Sequence, residues 1–145
     1  MNRIRHLASK ISAVLVCMSL LLSGCQADKK KILVIGDSIS IGYTPHMKKR
    51  LSKAAIVEHV GENAQTSTYG ASRINHWLED KSWDIIVFNW GLWDVQYKTT
   101  DNKDKKIYGQ PVSSLREYKQ NLNAIVKVLK TETQAELAFV TCTYV

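Results

Sequence analysis

The 145-residue chain carries 20 Lys and Arg against 13 Asp and Glu, with 45% hydrophobic and 23% charged residues. That balance suits one globular domain and excludes extended disorder, and seven Gly with two Pro exclude a collagen-like or low-complexity chain. Three cysteines without a CxxC pair exclude a dense disulfide scaffold and a zinc ribbon.

The first segment reads as an address. Arg3, Arg5 and Lys10 precede a short apolar run, Ile11 to Leu22, too short for a comfortable membrane span and of the length of a secretory signal. Leu22-Ser23-Gly24-Cys25 then resembles the bacterial lipobox, in which the peptide is cut before the cysteine and the thiol is lipidated. The expectation is a signal peptide over 1–24, a lipidated tether over 25–30 and one domain over 31–145, exported and held on a bacterial membrane by lipid on Cys25. Without Arg3, Arg5 and Lys10 the net charge falls from +7 to +4. No strong basic stripe is then visible in the sequence, so nucleic acid is not expected as a partner. Lys29-Lys30-Lys31 reads as a solvated tether near anionic headgroups. Cys142 reads as a buried core thiol.

Ile32 to Ile35 is a continuous apolar run closed by Gly36, the mark of a strand buried on both faces. Thr44-Pro45 predicts a helix cap followed by proline at the first helical position, with the helix running to about Lys53. A second strand is expected over 55–60, a polar loop over 61–68 and a helix over 71–80 with Ile74, Trp77 and Leu78 on one face. Residues 84–90 form a third apolar strand, and 98–109 a charged loop. Ser114 and Glu117 form a capping-box pattern ahead of Leu115, Tyr118, Leu122, Ile125, Val126 and Leu129 at helical spacing. A fourth strand is expected over 135–145. Strands alternating with helices predict a parallel sheet with helices on both faces, whose sites form at the carboxyl ends of the strands.

Three places there hold unusual residues. Gly36-Asp37-Ser38-Ile39-Ser40 puts a serine at a strand-to-helix turn, where its hydroxyl projects beside backbone N–H groups. Gly70 follows the second strand and could offer an N–H near Ser38; it also reads as a loop or helix-entry glycine. Asn89 closes the third strand, followed by Trp90, Gly91, Leu92, Trp93 and Asp94. Asn89 could donate to a developing oxyanion or simply close the strand. Trp90 and Trp93 could flank a sugar or acyl group, or belong to the core.

Gly36-Asp37-Ser38-Ile39, on the first strand, resembles the GDSL motif of the GDSL/SGNH hydrolases; Gly70 fits the second-motif glycine, and Gly91-Leu92-Trp93-Asp94 stands in place of the third motif, Gly-x-Asn-Asp. The resemblance implies a flavodoxin-like three-layer α/β/α fold and ester hydrolysis. Ser38 would be the nucleophile. The N–H groups of Ser38 and Gly70 with the Asn89 side chain would form the oxyanion hole, and Asp37, Trp90, Trp93 and Asp94 would line the substrate cleft. It implies acyl, above all acetyl, esters of carbohydrates or lipids as substrates and no cofactor. Two departures stand out. Trp93 replaces the family's Asn, and the family's closing Asp-x-x-His is absent, as no histidine follows an aspartate by three residues. The expectation is therefore the N-terminal portion of a serine esterase, inactive alone for want of a base. A binding lipoprotein that kept the fold is the alternative. No metal cluster is expected, since Asp37, Asp94 and Asp101 have no recognised ligand spacing.

Overall fold

The computed structural model describes residues 28–78, 82–98 and 109–142. Residues 1–24, Cys25 and most of the expected 98–109 loop lie outside them.

Four parallel strands, β1 (Lys30–Ile35), β2 (Ala55–His59), β3 (Ile85–Phe88) and β6 (Glu136–Phe139), form one sheet in the order β2-β1-β3-β6. Register runs Lys30 to Ala55, Ile32 to Ile85 and Ile85 to Glu136. Such an order arises when the chain winds first to one side of β1 and then to the other, leaving a crevice between β1 and β3. Helix α1 (Ser38–Leu51) packs on one face, over Ile32, Val34, Ala55 and Val57. Helices α2 (Ser67–Leu78) and α3 (Leu115–Glu132) pack together on the other, over Leu33, Ile35, Ile86 and Phe88. The result is the predicted three-layer α/β/α arrangement. Strands β4 (Tyr97–Lys98) and β5 (Gln110–Pro111) form a small antiparallel pair at the ends of the expected charged loop. Among the described residues no helix is long and apolar enough to cross a membrane.

Several boundaries differ from the sequence expectation, each for a physical reason. The N-cap of α1 is Asp37, whose carboxylate accepts the Ile39 N–H at 2.9 Å, and Pro45 lies inside the helix. Proline removes one helical N–H, but the turn below it is exposed at Ile41, where solvent can take the orphaned carbonyl. Thr44 does not cap; its hydroxyl donates back to the Ser40 carbonyl at 2.6 Å. Helix α2 starts at Ser67, four residues early, because Asp94 from a distant turn accepts its N–H. Strand β6 stops at Phe139, and Lys30 belongs to β1 rather than to a tether. The capping box at Ser114 and Glu117 forms as expected, but Leu115 ahead of the amphipathic face stays 83% exposed. Cys142 is exposed, not core.

Candidate active site

The carboxyl ends of β1, β3 and β6 converge on the crevice. After β1 the chain turns at Gly36 and enters α1, so Ser38 is the first helical residue, exposed, with a hydroxyl that no described residue hydrogen-bonds. The first N–H groups of a helix have no intrahelical acceptor. Asp37 takes one of them, that of Ile39, and no described contact uses the Ser38 N–H. Asp37 itself is only 5% exposed. Burial, and then the Asp37 charge, push the Tyr43 phenol above its ordinary pKa.

Asp37, Ile39, Ser40, Tyr43, Asn89 and Leu92 line a cavity of about 170 Å³. Leu92, Thr141 and Cys142 separate it from a larger apolar cleft of about 750 Å³ between the 91–95 turn, the start of α3 and the end of β6. Asp37 and Asn89, predicted from distant sequence positions, thus share one cavity beside Ser38. Gly91 takes φ +142°, a conformation in which side chains are strained, and an added Cβ would meet Cys142 Sγ at 2.9 Å.

The other nominated residues fall differently. Gly70 is not in a loop but in the first turn of α2, and its N–H donates to the Thr66 carbonyl at 2.9 Å. It is therefore not a free oxyanion donor. Its missing side chain makes room for the Trp90 indole, since a Cβ there would stand 2.5 Å from the ring. Asn89 donates its amide to the Val140 carbonyl, with Cys142 Sγ 3.6 Å away, which ties β3 to the end of β6. Trp90 is a core residue, 2% exposed, stacked on Trp77 and donating Nε1–H to the Ala64 carbonyl at 3.2 Å. It forms part of the cleft floor and offers no sugar platform. Asp94 is buried and saturated. It accepts the Ser67 N–H at 3.1 and 3.0 Å, the Ser67 hydroxyl at 2.7 Å and the Ser113 hydroxyl at 2.7 Å. Trp93 is half-buried in the 92–95 turn.

Among the histidines, His46 and His76 are exposed on α1 and α2. His59, at the end of β2, has Nε2 2.7 Å from Ser40 Oγ and Nδ1 against the Val60 carbonyl. The Ser40 hydroxyl donates its single proton to the Asp37 carbonyl at 2.7 Å, so the contact links His59 through Ser40 to the turn at Asp37. This partly buried serine–histidine pair braces the turn that carries Ser38. Sequence reasoning missed it because nothing links positions 40 and 59 until β1 and β2 pair. A second unforeseen cluster surrounds Glu62, which accepts from Tyr69 Oη at 2.6 Å, Trp77 Nε1 at 2.7 Å and Arg73 Nη2 at 2.9 Å. These donors, the tyrosine first, lower its pKa to about 2. Among the described residues no group of His, Cys, Asp and Glu is placed to hold a metal ion.

No family model matches the chain, and no curated protein sequence matches it. Solved structures do. AlinE4, an SGNH-hydrolase family esterase, superposes with TM-score 0.58 at 20% identity over 77% of this chain and 59% of its own. TesA does so with TM-score 0.54 at 20% identity over 74% of this chain and 59% of its own. A GDSL-like lipase from Bacteroides thetaiotaomicron gives 0.52 at 18% identity over 78% of this chain and 51% of its own. The chain thus has the fold of the SGNH hydrolases, and it spans 59% of the length of AlinE4 and of TesA.

Proposed function

We propose that this chain carries the nucleophile of an SGNH-type ester hydrolase acting on acyl, above all acetyl, esters of carbohydrates or lipids. Ser38 Oγ would add to the ester carbonyl, its proton passing to a base. The alcohol would leave with a proton as the acyl-serine forms, and water would release the acid. The observation that carries this reading is the placement of Ser38: exposed, unpartnered among the described residues, at the helix entry beside the crevice. The Ser38 N–H supports it as the oxyanion donor still uncommitted. His59 is engaged by Ser40, so none of the described histidines is nominated as base.

With no described histidine nominated, a base can be supplied from solution. With excess imidazole, the full chain is expected to hydrolyse p-nitrophenyl acetate about tenfold faster than its Ser38→Ala variant, a fraction of what a positioned base contributes. Equal rates for the two chains would refute the Ser38 assignment. The second reading, a non-catalytic envelope binding protein, is favoured by the commitment of Gly70 N–H to Thr66 and of the Asn89 amide to Val140. It predicts no rescue but retained binding of an ester ligand. We further propose export and lipidation at Cys25; labelling with radioactive palmitate in a bacterial host, lost in Cys25→Ala, tests this.

A further inference from the structure

We propose that the pole of the domain opposite Ser38 is a docking surface for an anionic lipid bilayer. Two basic runs that are separate in sequence meet there. Lys29, Lys30 and Lys31 open β1, and Lys48, Lys49, Arg50 and Lys53 close α1 and lead into β2. The Lys30 N–H donates to the Ala54 carbonyl at 3.0 Å, and Lys30 and Lys31 pair in register with Ala55 and Ile56. All seven side chains are exposed. Among the described residues of these segments and of the same end of the sheet, three are acidic, Asp28, Asp84 and Glu136; Asp84 is bound to Lys30 at 3.0 Å, and its carbonyl accepts the Glu136 N–H at 2.9 Å.

The charge balance locates the chain's surplus here. Seven cations against three anions equal the +4 that remains once Arg3, Arg5 and Lys10 are set aside, so the charges of the remaining residues sum to zero. Helix polarity accounts for cations in the last turn of α1. It does not account for Lys53 beyond the helix or for Lys29 to Lys31 on a strand.

Lipid is the partner that fits because of what precedes the patch. The apolar run Ile11 to Leu22 and Cys25 lie directly upstream, and Cys25 is four residues from Lys29. Four residues span at most about 14 Å. A chain held in a membrane at that point keeps its basic pole within roughly two Debye lengths of the headgroups, where each Lys or Arg strengthens attachment about fivefold. The strands run away from this pole. Six residues of β1 carry Ser38 roughly 20 Å farther from the bilayer, so the candidate site opens toward water and takes its substrate from there. The surface is independent of whether Ser38 is catalytic.

The chain lipidated at Cys25 is reconstituted on vesicles of phosphatidylcholine alone or with one third phosphatidylglycerol, so that the lipid holds it on both. Exposed amines are sparsely acetylated and mapped by mass spectrometry. Lys48, Lys49 and Lys53 are expected to react at least about fivefold more slowly on the anionic vesicles. The difference should vanish in molar salt, where the Debye length falls to about 3 Å. Lys119, near the start of α3 at the opposite pole, should react alike on both. In Lys48→Glu/Lys49→Glu/Lys53→Glu, Lys31 should lose its protection while the far-ultraviolet circular dichroism spectrum is retained. Equal reaction on the two vesicles overturns the proposal. So does equal protection of the same lysines by a short RNA duplex on the phosphatidylcholine vesicles at low salt, which would make the pole a nucleic-acid surface instead.

Discussion

Replacing Gly70 by alanine adds one methyl group where the Trp90 ring already lies, 2.5 Å from Cε2 and Cζ2 and 2.6 Å from Nε1. Carbon atoms pack at about 3.5–4.0 Å, so ring or helix must retreat by roughly an ångström. The ring has little freedom to do so. It is stacked on Trp77 with centroids 6.4 Å apart, meets Phe88 at 6.2 Å and is fixed by its bond to the Ala64 carbonyl. Overpacking of this kind costs about 1–3 kcal/mol, and loss of the indole hydrogen bond adds about 1 kcal/mol. Against this, alanine favours a helix over glycine by about 1 kcal/mol. The net expectation is a loss of about 1–3 kcal/mol with a weakened near-ultraviolet tryptophan signal, read by urea unfolding of the full chain and of Gly70→Ala. The alternative role assigned to Gly70 predicts something else. An oxyanion donor acts through its N–H, which alanine keeps, so the helix gain would leave Gly70→Ala more stable by about 1 kcal/mol. That outcome would refute the packing argument.

The Glu62 cluster sets an acid limb. Its folded pKa of about 2 lies below the unfolded value of about 4.5, so its contribution is present above that value and is lost as pH falls toward 2. Melting temperature measured against pH should fall over that window in the parent and be flatter in Glu62→Gln. Asp94→Asn leaves an amide facing the Ser67 and Ser113 donors; it should destabilise by about 2–3 kcal/mol and speed hydrogen exchange at the Ser67 amide. Ser114→Ala breaks both halves of the capping box and should cost about 1 kcal/mol in the same urea assay.

The fold was legible because its signals are local. The runs Ile32–Ile35 and Ile85–Phe88 are apolar on both faces, and α3 repeats its apolar residues at helical spacing. Helix starts were legible only where the cap is local. Ser114 and Glu117 announce α3 three residues apart, whereas α2 begins where it does because Asp94 reaches Ser67 from 27 residues away. At α1 two cap signals competed, and Asp37 prevailed over Thr44 because its carboxylate reaches the Ile39 N–H while Thr44 can bond only backward. Lys29 to Lys31 were legible as a basic run, but their meeting with Lys48 to Lys53 was not, for the same reason as the pairing of Ser40 with His59. Each is a pair of segments that is ordinary in sequence and becomes one feature only through the pairing of β1 with β2.

The site residues divide along a related line. A glycine in a motif reports that something approaches closely, but not what approaches. Gly70 read as an oxyanion donor near Ser38; the structure commits its N–H to Thr66 and fills the space of its missing side chain with Trp90, twenty residues away in sequence. Ser38 needed no such inference. A serine one residue after a strand-end aspartate that caps the next helix is placed by local geometry alone, since the cap sets where the helix begins and the first helical residue must lie at the strand's end. Asn89 lies between these cases. Its position at the end of β3 followed from the apolar run before it, but its amide is directed by the Val140 carbonyl, which belongs to β6. The amide nitrogen carries two N–H donors, one held by the Val140 carbonyl and one facing Cys142 Sγ at 3.6 Å. Catalysis through Asn89 would therefore use the N–H that faces Cys142 while Val140 holds the other, and Cys142 is the contact to monitor when an ester analogue is added.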